Sequence, residues 1–318
     1  MKKALITGIS GFAGSHLAEF LIDRGYEVFG TFYDKSTFLN LNSFIDKIRL
    51  FKCDIRNYNN LKTIIEKVKP DEIYHLAAIS FIPTSLKNPK LTFDTNLYGT
   101  LNIYQAVFDL KLKPRILFVG SADEYGIVNE NDLPIKENYS LRPVNPYSIS
   151  KACADFLSYF YFKDYNLNII RVRPFNHIGP RQSPEFVCSS FAKQIAEIEK
   201  GLKEPIIKVG NLEAKRDFTD VRDMVRAYWL ALNKGELGKA YNICSERTIQ
   251  IGELLNNLLD LSTKKIEILK DPKRMRLSDN PVLQGNYLKF RKRSGWEPEI
   301  TLHKTLKDLL EYWREILN

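Results

Sequence analysis

Over its first half the chain alternates short apolar runs with helical patterns, and this rhythm limits what it can fold into more than any other feature. Strand-like runs fall at 3–7, 27–31, 48–52, 72–76, 115–120 and 168–173, each separated from the next by a segment of helical periodicity. Such alternation predicts an α/β fold, a doubly wound, Rossmann-like parallel sheet with helices on both faces. Ligands in this architecture sit at the carboxyl ends of the strands. The first strand end carries glycines at 8, 11 and 14, directly before a helical pattern. The spacing is not GxGxxG, but the physics is the same: small residues let a backbone approach a pyrophosphate that faces a helix N-terminus. The fifth run ends in Gly120-Ser121-Ala122-Asp123-Glu124-Tyr125-Gly126. After Pro143, Asn145 and Pro146 comes Tyr147-Ser148-Ile149-Ser150-Lys151, the opening of a further helix. Tyr147 and Lys151, four apart, share a helix face, and a fixed ammonium favours a neighbouring phenolate. That pair is suited to passing a proton near neutrality.

At 318 residues, 44% hydrophobic and 27% charged, the chain is long enough for a well-buried core and a second lobe. No apolar stretch approaches a membrane span, and the start enters a strand instead of a signal peptide, so no membrane partner is expected. The four cysteines form no CxxC pair, which predicts a reduced, cytoplasmic protein without a metal centre. Net charge is +9, densest at Lys289-Phe290-Arg291-Lys292-Arg293. A run this short reads as a solvated face, and phosphorylated small substrates account for the excess better than nucleic acid does.

The glycine turn, the Ser121 strand end and the Tyr147–Lys151 helix, in this order, resemble the extended short-chain dehydrogenase/reductases over the whole chain. The resemblance implies that Gly8, Gly11, Phe12, Ala13, Gly14, Asp54, Ile55, Leu76, Ala77, Ala78, Asn96, Tyr147, Lys151 and Pro174 contact a dinucleotide. It also implies a catalytic set of Ser121, Tyr147 and Lys151, with Asp123 beside it. Ser121 and Tyr147 would hold a carbonyl oxygen while Lys151 binds the cofactor ribose and lowers the Tyr pKa. NADP and NAD both stay open, because in Phe32-Tyr33-Asp34-Lys35 the acid Asp34 can reach a ribose hydroxyl and Lys35 a 2′-phosphate. By resemblance Asn96 is a buried support of the site; on the residues alone it is equally a helix-surface Asn. His75 reads as a core histidine.

After Arg173-Pro174-Phe175-Asn176-His177-Ile178-Gly179-Pro180 the character changes. The division expected is a dinucleotide-binding domain over 1–174, with a later segment at about 214–245 returning to it, and a smaller mixed α/β substrate lobe over 175–318. Helices are expected at 185–200, 221–233, 251–261 and 302–317. The segments around Asn176, Lys193, Arg216 and Arg276 are similar to the branch acting on GDP-hexoses, which implies a GDP-sugar substrate held by Ser80, Asn176, Val187, Lys193, Arg216 and Arg276. Surface ion pairing is the plain alternative for the two arginines. The activity implied is NAD(P)H-dependent reduction of the C4 keto group of a GDP-4-keto-6-deoxyhexose; the alternatives are a GDP-mannose 4,6-dehydratase and a nucleotide-sugar 4-epimerase. Against dehydration, Ala122 stands where dehydratases place a proton donor and Asp123 where they place a longer Glu, with Glu124 as the substitute that a one-residue loop shift would present. The resemblance further implies a homodimer through the 96–110 and 147–164 helices.

Overall fold

A computed structural model describes residues 1–274 and 280–317. Among the described residues thirteen strands form: β1 (Lys3–Thr7), β2 (Glu27–Phe32), β3 (Ile48–Lys52), β4 (Glu72–His75), β5 (Arg115–Val119), β6 (Asn168–Pro174), β7 (Asn176–Ile178), β8 (Ile206–Val209), β9 (Lys215–Asp220), β10 (Ala240–Ile243), β11 (Thr248–Gln250), β12 (Glu267–Lys270) and β13 (Val282–Leu283). Seven make one sheet in the order β10-β6-β5-β4-β1-β2-β3. Every pairing in it is parallel.

The two-residue period of a strand divides the core between the faces of this sheet. Ala4, Ile6, Leu117 and Ile170 pack with Leu17, Leu21, Val225 and Tyr228 from the Phe12–Ile22 and Val221–Lys234 helices. Leu5, Ile116, Phe118 and Ile169 point the other way, onto Ile64, Ile103, Ala154 and Tyr161 of the Tyr58–Val68, Gly99–Asp109 and Pro146–Tyr165 helices. Each fully buried Leu or Ile contributes about 1.5–3 kcal/mol, and truncating one such as Leu117 to Ala costs about 2–5 kcal/mol once the cavity is counted.

The remaining strands build smaller sheets. β9 pairs with β11, β13 and β7, and β8 pairs with β12. The Val187–Glu199, Ile251–Leu259 and Leu302–Ile316 helices share a further core with Ile207 and Val209. The chain crosses back at Asp220, which caps the Val221–Lys234 helix by accepting the Arg222 amide at 2.7 Å. That helix and β10 then join the large sheet, while β9 just before them stays with the small one.

The basic run near the C-terminus is absorbed locally. It forms the Leu288–Ser294 helix, in which Lys289 donates to the Ala240 carbonyl, Arg293 to the Lys234 carbonyl, and Arg291 pairs with Glu297. Among the described residues no helix is long and apolar enough to cross a membrane, and no cluster of His, Cys, Asp and Glu is arranged to hold a metal.

Candidate active site

A cavity of about 1070 Å³ lies along the carboxyl ends of the large sheet and extends into the small one. Its floor is the turn after β1. Gly8 has φ +72°, and a Cβ there would meet the Ala77 Cα at 2.9 Å; a Cβ on Gly14 would meet the Gly8 carbonyl at 2.3 Å. Only glycine lets these backbones close to that distance. Gly11 caps the Phe12–Ile22 helix without a side-chain hydrogen bond, so the first-turn amides face the cavity uncapped. An open helix N-terminus with no Cβ in the way is the cradle a pyrophosphate requires, so these residues fit a bound dinucleotide.

Phe12, Ala13, Asp34, Asp54, Ile55, Leu76, Ala77, Ala78 and Pro174 line the same cavity, as expected. Asp34 accepts the Ser36 amide at 2.6 Å. Asp54 is gripped by the Arg56 guanidinium, Nη2 to Oδ2 at 2.5 Å, which holds its carboxyl below the ordinary value. Arg56 also lines the cavity and is a residue the sequence reading passed over, although it stands two positions from Asp54. His75 is a core histidine, bonded to the Thr7 and Thr100 hydroxyls at 2.8 and 2.9 Å, and burial takes it down to about 3.

Asn96 does not line the cavity. It is buried in a π-helical turn, Asp94–Tyr98, where its side chain takes the Ile79 amide at 2.8 Å and gives to the Ile79 carbonyl and the Ser150 hydroxyl. Its place is behind the site, as a support. Ser150 in turn donates to the Tyr147 carbonyl, so Asn96 steadies the first turn of the Tyr147 helix.

That helix, Pro146–Tyr165, starts where local chemistry dictates. Asn145 accepts the Ser148 amide at 2.9 Å, the Ser148 hydroxyl accepts the Asn145 amide, and Pro146 occupies the first helical position. Tyr147 and Lys151 thus project from its opening turns into the cavity, where Ser121, Ala122 and Asp123 form the facing wall. Burial, then the Asp123 carboxylate, pushes the Tyr147 phenol above its ordinary value, and the Ser121 side chain pulls it back. Lys151 donates to the Val119 carbonyl at 2.7 Å, and burial lowers it to about 8. The shift of Tyr147 is thus upward, opposite to the direction expected from the Tyr–Lys spacing, because desolvation leads its causes. Glu124 is completely buried and folds back to accept the Ser121 amide at 2.7 Å, so it does not take the place of Asp123 in the wall.

On the other side, Ser80, Asn176, Val187 and Arg216 line the cavity. Arg216 donates to the Asn280 carbonyl at 2.6 Å. Lys193 does not line the cavity. The helix turns Val187, Ser190 and Phe191 to the cavity and carries Lys193 away from it, 3.9 Å from Glu197 and 5.3 Å from the Trp313 ring. Arg276 lies outside the described residues. The cation found near it is Arg274, which lines the cavity and donates to the Ser190 hydroxyl at 3.2 Å. Neither Arg274 nor Ser190 was singled out in the sequence, where the only signal was the cluster of cations at 273, 274 and 276. Phe81 and Phe186 meet edge to face at 5.7 Å across the two sides.

Comparison with known proteins accords with this geometry. The chain is 34% identical over 312 residues to the GDP-6-deoxy-D-mannose reductase of Pseudomonas aeruginosa, covering 98% of this chain and 97% of the relative. It is 30% identical to the GDP-mannose 4,6-dehydratase of Yersinia enterocolitica, over 98% of this chain and 93% of that one. The structure of RMD from P. aeruginosa complexed with NADPH superposes with a TM-score of 0.88 at 32% identity, covering 99% of this chain and all of that one. Thermotoga maritima UDP-glucose 4-epimerase with UDP-glucose gives 0.90 at 28% identity over 99% and 100% of the two chains. Residues 5–309 match the family described as GDP-mannose 4,6 dehydratase. With glycine cradle, Ser121 wall and Tyr147–Lys151 helix around one cavity, the chain belongs to that family, within the extended short-chain dehydrogenase/reductases.

Proposed function

We propose that this NAD(P)-dependent oxidoreductase reduces the C4 keto group of a GDP-4-keto-6-deoxyhexose. The observation that carries the reading is the wall opposite Tyr147, where Ala122 offers no proton, Asp123 is one methylene shorter than Glu, and Glu124 is tucked behind on the Ser121 amide. Dehydration across C5 and C6 needs a donor for the departing hydroxyl and a base that reaches the C5 proton. Reduction needs neither. A nicotinamide cofactor bound in the glycine cradle would supply the hydride for the carbonyl carbon. The Ser121 hydroxyl and the Tyr147 phenol hold the carbonyl oxygen, and Tyr147 gives up its proton as charge develops there. Lys151 orients the cofactor ribose, and residues 1–174 with β10 form the dinucleotide-binding unit.

Arg216, with Asn176, Ser80 and Val187, holds the nucleotide diphosphate end, and Arg274 adds a second cation. Phe156, 61% exposed, with Tyr159, Phe160 and Phe108, leaves an apolar face on two adjacent helices that a second copy of the chain would cover, giving a homodimer. Four free cysteines, three of them buried, fit a cytoplasmic setting.

The test offers the purified protein GDP-4-keto-6-deoxymannose with NADPH or NADH, follows loss of the reduced nicotinamide, and identifies the sugar. Oxidation of the cofactor with a GDP-6-deoxyhexose as product is expected. Release of a 4-keto-6-deoxy product from GDP-mannose would replace this reading with the dehydratase.

A further inference from the structure

Behind the catalytic wall lies a set of buried charges that the reaction above does not use. Arg173 on β6, 5% exposed, grips Asp155 with two nitrogens, Nε to Oδ2 at 3.1 Å and Nη2 to Oδ1 at 3.2 Å. The same Nε lies 3.3 Å from Glu124 Oε2, and Nη1 reaches the Tyr125 hydroxyl at 3.1 Å and the Glu137 carbonyl at 3.3 Å. Arg171, two residues earlier on the strand and so on the same face, also pairs with Asp155. Asp155 and Glu124 are both completely buried.

The two carboxylates belong to the two elements that carry the catalytic groups. Asp155 is four residues beyond Lys151 and eight beyond Tyr147, on one helix face. Glu124 closes the turn after β5, with its Oε1 on the Ser121 amide at 2.7 Å and its backbone carbonyl taking the Arg142 amide at 3.0 Å. The Arg173 guanidinium therefore spans the Ser121 turn and the Tyr147 helix. Burying such ions is a poor way to gain stability compared with apolar packing; what a rigid fork between two carboxylates supplies is register.

We propose that Glu124 is a positioning residue of the site: its Oε1 fixes the Ser121 amide, Arg173 ties it to the Tyr147 helix through Asp155, and its charge is the counter-charge of the Lys151 ammonium. The proposal rests on the reading of Ser121, Tyr147 and Lys151 as the catalytic set. Burial and the neighbouring Asp155 push Glu124 up to about 8, while Arg173 and Lys151 pull it down. Burial lowers Lys151, and Glu124 is the charge that raises it again. Around this pair stand Asp155, Arg173, Tyr125, Tyr147 and Asp123 of the turn, the helix and β6, His75 of β4 beside Lys151, and Arg171 through Asp155. Each charge favours the other: the Glu124 carboxylate raises Lys151, and the Lys151 ammonium lowers Glu124.

Two variants separate the geometric part from the charge. Glu124→Gln keeps an oxygen for the Ser121 amide but loses the charge; Glu124→Leu loses both. In reduction of the GDP-4-keto-6-deoxy sugar with NADPH, Glu124→Gln should lose less than about fivefold in kcat at neutral pH. Its alkaline limb should move to lower pH by about one unit, read as a ~10-fold loss of rate there. Glu124→Leu should lose about 10²-fold in kcat with KM within about twofold, the split expected when reacting groups are misplaced and binding is not. A pH profile of Glu124→Gln that superimposes on wild type, or Glu124→Leu with unchanged kcat, overturns the proposal. Tyr147→Phe runs alongside: if it stays active the catalytic set itself is wrong, and if it is inactive while Glu124→Gln matches wild type only the role of Glu124 fails.

Discussion

The two sides of the cavity are built by different means. On the cofactor side each functional residue sits at or just beyond the end of a regular element: Gly8 after β1, Ala77 after β4, Ser121 after β5, Tyr147 in the first turn of a helix. On the other side, position is set by side chains that hold loops together. Asp217 receives the Ser245 amide and hydroxyl at 2.7 Å each and the Glu246 amide at 3.0 Å, and Arg216 reaches the Asn280 carbonyl from 64 residues away. A strand end is placed by a hydrogen-bonded ladder that tolerates many sequences. A loop clasped by a buried carboxylate leans on that one side chain, which leaves the second side more exposed to single changes.

The sharpest test of the comparison is Tyr147→Phe. It removes one hydroxyl from an otherwise intact element, so kcat should fall by ~10²–10⁴-fold while the dissociation constant for NADPH, from fluorescence titration, stays within about twofold. Gly14→Ala attacks the cradle instead. Its Cβ would lie 2.3 Å from the Gly8 carbonyl, and the strain, about 1–3 kcal/mol, should weaken NADPH binding by ~10-fold or more and lower Tm. On the opposite side, Arg216→Ala should raise KM for the GDP-sugar by ~10–100-fold, the worth of a hydrogen bond to a charged group, and leave NADPH affinity alone. If cofactor affinity falls equally, the two sides are not separable. A pH–rate profile probes the shared centre: Lys151, lowered to about 8 by burial, is charged below that pH and neutral above it, so wild-type kcat should fall as pH rises past its folded-state pKa. The smallest effect is expected for Lys193→Ala, with KM changed by less than about twofold because the ammonium faces Trp313. A large rise in KM would restore Lys193 to the substrate side.

These differences follow what was legible beforehand. The first six strands fall within a residue of their expected bounds, because period-2 burial on a two-sided sheet leaves a strong apolar signal. Ser121, Tyr147 and Lys151 converge because two of them share a helix face and the third ends a strand that must lie beside it. Lys193 could not be placed from the sequence, because a cation on an amphipathic helix shows its spacing but not which neighbour its helix turns towards. Arg274 escaped because nothing local distinguishes it from the adjacent cations; its contact with Ser190 spans 84 residues. Asn96 stayed ambiguous between surface and support until the Ile79 backbone and the Ser150 hydroxyl came to lie on either side of it.

By itself the sequence determined the parallel sheet, the glycine cradle, the start of the Tyr147 helix at Asn145-Pro146 and the spacing of Tyr147 and Lys151, all marked by patterns that repeat or close within a few residues. Only the tertiary structure decided the burial of Glu124, the fork of Arg173 between the Ser121 turn and the Tyr147 helix, and which cations line the cavity. Those depend on desolvation and on the charges that distant segments bring together, quantities a linear pattern does not contain.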